Sequence, residues 1–316
     1  MSLKTLLLAA VQAMSLPLAT EAQVGERRWS EPMPLGAGTA RAFVRSGPSA
    51  PSEVGVVFDE AALEGLPNDV SSWPWNIYDA AGQLVTPCCG AETLMRFPDS
   101  CGEQPFDHVV VNWMPTGHGP AGVYDHPHFD IHFYLITPEQ RAEIAIPSAE
   151  ERCSVNGQLV PLSCEMYARA TVPLPTAMEP PGYTDIGSAR PGMGNHLYDL
   201  SAPEHHGHTF ARTFLFGKFD GSLIFMEPMI THQFFTELSG EECHAIAMPG
   251  AMPESGWYPT RYCMRRDHAC GEIEVRMDAF RLFPAAAAVD GCYEAQATST
   301  DAPGSSSQAH GGVGHP

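Results

Sequence analysis

The chain has 316 residues, room for one large domain or two ordinary ones, and its 44% apolar share is enough to build a real core. The formal charge is −20, and Lys218 is the only lysine after Lys4, so a phosphate backbone or an anionic lipid surface is excluded as a natural partner. Twenty-nine prolines and 29 glycines divide the chain into short segments, which favours a β-rich fold over a helical one.

Lys4 is the only charge before Glu21. An apolar run follows from Leu6 to Leu18, and small residues stand at Thr20 and Ala22. This pattern predicts a signal peptide over residues 1–22, with a buried N-terminal helix as the rival reading. The run is too short to span a bilayer, and no later segment reaches ~18 uninterrupted apolar residues. A secreted or periplasmic protein is expected. The nine cysteines agree, because most of them should pair in an oxidising compartment. Cys153/Cys164 and Cys263/Cys270 are the local candidates. No C-x-x-C occurs, which argues against a thiolate zinc site.

Residues 23–50 are polar and Pro/Gly-bearing, and predict an extended lead-in. Ser52–Pro67 reads as a strand and then a helical turn, and Ser71–Val85 as an aromatic, turn-rich stretch. His108–Met114 predicts a strand, Pro115–Asp125 a loop, and Phe129–Ile136 a second strand. Thr137 suits an N-cap, with Pro138 at the first helical position. In Cys153–Val160 an Asn-Gly pair between β-formers predicts a hairpin. A Pro-rich connection runs from Pro173 to Gly194. Thr209–Phe235 predicts a strand, an Asp-Gly turn, a strand and a third strand, and Gly271–Phe283 one more. The expected organisation is one all-β domain over residues 23–295 with minor helix. A sandwich or a barrel fits, including a cupin-like one, followed by a disordered tail over 296–316.

The stretch "DHPHFDIHFYLI" (Asp125–Ile136) carries the chemistry. In an extended strand, residues two apart share a face. His126, His128, Asp130 and His132 then point one way, and Phe129, Ile131 and Phe133 point into the core. Imidazoles and one carboxylate make a common transition-metal ligand set. The alternative is an exposed polar face or a hydrogen-bonded histidine network. His128 and His132 are about 13 Å apart along a strand, a wide gap for one ion. The expected metal ligands are His128, His132, His196 and Glu227, with His126 as a further member. Asp130 and His118 are the expected catalytic acid–base groups. The string is not the H-x-H-x-D-H signature of metallo-β-lactamases, because its last histidine comes one residue later. No H-E-x-x-H, G-x-S-x-G or Walker motif occurs.

The strings "GHGPAGVYDHPHFDIHFY", "PGMGNHLYD" and "FGKFDGSLIFMEPMIT" resemble the motif blocks of a poorly characterised family of exported bacterial β-proteins, over roughly residues 108–235. The resemblance implies a secreted β-fold, an oligomeric ring as in a thermophile member under extracytoplasmic sigma-factor control, and importance for His118, His128, Asp130, His132, His196, Asp199 and Glu227. It implies no reaction. The residues predict a protein that binds one divalent transition metal (Zn, Fe, Cu or Mn). Such a metal would serve hydrolysis, hydration or oxidation of a small-molecule substrate. The alternatives are a non-catalytic metal carrier, a stress-related envelope or ring-forming scaffold, and a metal-free histidine-lined pocket.

Overall fold

Alternation of apolar and polar residues along the strands sets the architecture. In a computed structural model, which describes residues 25–98 and 104–287, two large antiparallel sheets stack face to face. The signal peptide expected over 1–22 and the tail expected over 296–316 lie outside the described residues.

The first sheet runs in the order Arg27–Trp29, Gly38–Ser46, Pro51–Asp59, Glu272–Asp278, Arg261–Asp267 and Gly240–Ala245, with Met33–Leu35 added beside Gly38–Ser46. The second runs Tyr183–Arg190, Gly194–Asp199, Arg212–Phe219, Ser222–Thr231, His128–Tyr134, His108–Met114 and Ala91–Arg96. Each sheet ends in edge strands that do not pair with one another, so no closed barrel forms. Of the two predicted architectures, the sandwich is the one adopted.

One core fills the space between the sheets. Val54, Val56 and Phe58 with Ile273, Val275 and Met277 come from the first sheet, and Val109, Val111, Phe129, Ile131 and Phe133 from the second. The rings of Phe58 and Phe129 lie 6.1 Å apart across it. Each such aromatic burial is worth ~1.5–3 kcal/mol. The outer face of the second sheet is also covered. Cys88, Cys89, Ile144, Leu162 and Ala170 from connecting segments pack on Val110, Tyr134 and Phe225, and Tyr124 and Phe210 pack on Tyr198, Leu215 and Met229. The polar residues of the His128–Tyr134 strand are therefore enclosed between a sheet and its cover.

Several local predictions hold. Thr137 caps the helix Pro138–Ala142, with Gln140 completing a capping box. Asn156 and Gly157 both take positive φ in the turn between Arg152–Val155 and Gln158–Ser163. The differences are equally specific. The lead-in forms three strands, Tyr183–Arg190 is a strand inside the Pro-rich connection, and the third strand expected before Phe235 is the helix His232–Glu237. Cys153 pairs with Cys164 as expected, but Cys263 pairs with Cys243, its cross-strand neighbour, leaving Cys270 free and exposed. Cys88 and Cys89 form a vicinal pair. Among the described residues no helix is long and apolar enough to cross a membrane.

Candidate metal centre

Two groups of three ligand atoms form on the covered face of the second sheet. His132, His196 and Glu227 make one, and His118, His128 and Asp130 the other. Within each group the ligand atoms lie within 4.8 Å of one another.

The first group spans four neighbouring strands. His132 and Glu227 sit on paired strands, close to opposite each other. His196 is two strands further over and faces Gly217 on the intervening strand. A Cβ at Gly217 would overlap the Phe225 ring. The missing side chain makes room for that ring, which packs against both the His132 and the His196 rings. Glu227 Oε1 is 3.5 Å from His132 Nε2, and Oε2 is 3.8 Å from His196 Nε2. Neither contact is a hydrogen bond of normal length.

The ring orientations are fixed from behind. His132 Nδ1 lies 3.1 Å from Asn112 Oδ1. The Asn112 amide nitrogen donates to Cys89 O and to Glu92 Oε1, which leaves Oδ1 as the acceptor. Glu92 in turn accepts from Arg141 and from Trp75 Nε1. His196 Nδ1 donates to Ser188 O at 3.0 Å. Both rings thus carry their proton on Nδ1, and both Nε2 lone pairs face the Glu227 carboxylate. Lone pairs facing lone pairs in a buried site is unfavourable without a cation or an added proton between them. His132 Nε2 and Glu227 Oε2 have no hydrogen-bond partner at all. Without a metal, burial holds His132 neutral far below its usual range and His196 down to about 4. Burial, and then the nearby Asp130 charge, push the Glu227 carboxyl well up.

The second group joins the strand to the Gly-rich loop before it. Gly117 has φ +67°, and a Cβ there would collide with Tyr124 O, so glycine lets the loop fold back. His118 N then donates to Tyr124 O, and the His118 ring is brought over Asp130. His118 Nδ1 donates to Gly119 O at 2.8 Å and His128 Nδ1 to His126 O at 2.7 Å. The Nε2 atoms again face a carboxylate, 3.6 Å from Asp130 Oδ2 for His118 and 3.0 Å from Oδ1 for His128. Burial alone would raise the Asp130 carboxyl, but the His128 charge and the close approach of both histidines outweigh it and hold the group well below the usual carboxylate range.

His118, Asp130 and His196 line a common cavity of about 120 Å³, together with Arg190, Met193 and Tyr198. That is room for several waters or a small molecule. Arg190 donates to Ala189 O, and among the described residues no carboxylate pairs with it.

The structure therefore brings six of the seven predicted residues into one neighbourhood but divides them differently. His128 joins Asp130 and His118 rather than His132, His196 and Glu227. The His126 ring is exposed and belongs to neither group, and only its carbonyl contributes, by accepting from His128. Glu204 is buried and lies 3.5 Å from Tyr124 OH, which also contacts His205, so part of the "EHHGH" run braces the loop that carries His118. Sequence reasoning missed Asn112, Glu92, Arg141 and Arg190. Asn112 left one sign: it is the lone amide in the apolar run "HVVVNWM".

Comparison with protein-family models, curated proteins and solved structures finds no match. The functional reading therefore rests on the chemistry of these two groups.

Proposed function

We propose that the protein is an exported, disulfide-bonded β-sandwich that holds a divalent transition metal on His132, His196 and Glu227 and acts on a small anionic molecule. One observation carries this reading: two neutral imidazole nitrogens and a carboxylate converge in a buried site where His132 Nε2 and Glu227 Oε2 have no hydrogen-bond partner. Their mutual distances of 3.5 and 3.8 Å are near the ~2.9–3.4 Å edges of a tetrahedral or octahedral shell with bonds of ~2.0–2.1 Å. The acceptors behind the two rings are of the kind that orient metal-ligating histidines.

Three protein ligands leave coordination positions free, and His196 opens onto the cavity. That favours catalysis over a closed carrier or structural site. A bound divalent ion supplies Lewis acidity and lowers the pKa of water to ~7, and iron or copper would add redox chemistry. The chain's own contribution is positional. Arg190 offers its charge to an anionic group in the cavity, and Asp130 and His118 stand at the cavity wall beside it. Hydrolysis or hydration is the simplest reaction of this set. The ring assembly implied by the motif resemblance is compatible with it, since the site is built within one chain.

Elemental analysis of untagged protein tests the proposal, beside a Glu227→Gln/His196→Ala double variant. The expected result is at least one equivalent of transition metal, lost in a variant that keeps its near-UV circular dichroism. A protein that takes up no Zn, Fe, Cu or Mn on reconstitution contradicts it.

A further inference from the structure

We propose that His118, His128 and Asp130 form a second metal site, so that the cavity wall holds two divalent ions side by side. This rests on the reading that His132, His196 and Glu227 hold the first.

The second group has the same construction as the first. It offers two imidazole nitrogens and one carboxylate, and each Nδ1 proton is committed to a backbone carbonyl. His128 is fully buried, its Nε2 has no hydrogen-bond partner, and Asp130 Oδ1 has none either. The rival for this group is an imidazolium–carboxylate pair between His128 and Asp130. That pair leaves His118 unexplained, because His118 Nε2 stands 3.6 Å from Asp130 Oδ2, too far for a good hydrogen bond. Of the two separations, 3.0 Å falls within the ~2.9–3.4 Å edges of a shell with bonds of ~2.0–2.1 Å and 3.6 Å lies just above them. A tight Gly117 turn and a loop braced by Tyr124 hold the His118 ring in place, which is more than a solvent-facing histidine needs.

The two groups are neighbours by register. Asp130 and His132 share one face of one strand, two residues or ~6–7 Å apart. His118 and Asp130 from one group and His196 from the other line the same cavity, with Arg190 beside them. A small molecule in that cavity meets both ions. Two cations and an arginine select an oxyanion: a carboxylate, or a phosphate or sulfate ester. Two-ion sites commonly act on such groups by clamping the attacked and leaving oxygens.

The test is stoichiometry. Full-length untagged protein is stripped with a chelator and titrated with Co(II), followed by visible absorption and by elemental analysis after dialysis. Two equivalents are expected for the parent protein. One equivalent should remain in His118→Ala, His128→Ala and Asp130→Asn, and one in Glu227→Gln. His118→Ala changes a loop residue whose ring is 27% exposed, so it keeps the test valid if a strand variant fails to fold. Loaded with Cu(II), the parent should show magnetic coupling between two nearby ions, and the single-site variants should show an isolated-ion spectrum. A parent protein that takes up only one equivalent, and keeps it in all three variants of the second group, overturns the inference and leaves the first site standing. One equivalent lost in both sets of variants means a single shared ion, which also overturns it. No equivalent in any protein contradicts the first site as well.

Discussion

The two sheets bury carboxylates on their outer faces in opposite ways. On the first sheet, Glu274 meets Arg27 at 2.6 Å, Arg276 at 3.0 Å and Arg265 at 3.5 Å, and Asp278 meets Arg261 and Arg276. On the second sheet, among the described residues, Asp130 and Glu227 form charge contacts only with histidine nitrogens. The consequence appears in their protonation. Burial pushes both Glu274 and Glu227 up. Arg27 and Arg276 reverse that for Glu274, which ends below its usual range, whereas the neighbouring Asp130 drives Glu227 further up. A buried carboxylate with arginines around it completes a structural lattice. Glu227, with the neutral imidazoles of His132 and His196 around it, is completed by a proton or by a metal ion.

The largest effect should come from breaking the lattice. Glu274→Ala removes the carboxylate shared by Arg27, Arg276 and Arg265, leaving Arg27 on Glu53 and Arg276 on Glu241 and Asp278, and should cost about 3 kcal/mol in urea unfolding. Glu227→Gln in metal-free protein should cost under ~1 kcal/mol, since the amide replaces a carboxyl already held neutral. Equal costs for the two would erase the contrast. Next in size is the response to metal. Zn at one hundred times its dissociation constant should stabilise the parent protein by about 2.7 kcal/mol in the same unfolding assay, and Glu227→Gln by much less.

Asn112→Ala should then weaken metal binding about 10–100-fold, by freeing the His132 ring that the Asn112–Glu92–Arg141 chain holds. Competition with a chromophoric chelator measures it, and unchanged affinity would remove that chain from the account. The smallest effect, taken per pH unit, is in pH. His108 is buried against Tyr134, and desolvation, followed by the Arg141 and Arg96 charges, lowers it to about 3. Its folded pKa is below the unfolded value, so the stability it permits is whole above pH ~6.5 and is lost as pH falls towards 3. Metal-free protein should lose about 1.4 kcal/mol per pH unit from this one group over pH 6 to 4, a slope that His108→Gln should reduce.

Much of this was legible in the sequence, for identifiable reasons. The strand at His128 was readable because Phe129, Ile131 and Phe133 alternate with polar residues, and the Asn156-Gly157 turn because few other pairs accept positive φ twice. Tyr183–Arg190 was not, because an edge strand with Thr184, Asp185 and Ser188 carries little apolar alternation and follows a run of prolines. Arg261–Asp267 was hidden by the arginines that build the charged outer face. For the site, the residue types were visible, but their division into groups was not. Spacing along one strand puts His128, Asp130 and His132 on one face. Only the neighbouring strand that brings Glu227 to His132, and the loop that folds His118 onto Asp130, decides which belong together. The wide gap between His128 and His132 was the one sequence-level hint of that division.

The most direct measurement is anomalous diffraction at the zinc edge from crystals of the untagged protein grown with Zn. The account predicts a peak within ~2.0–2.2 Å of His132 Nε2, His196 Nε2 and a Glu227 oxygen. No peak there, with those nitrogens instead hydrogen-bonded to ordered water or to a protonated Glu227, would contradict it.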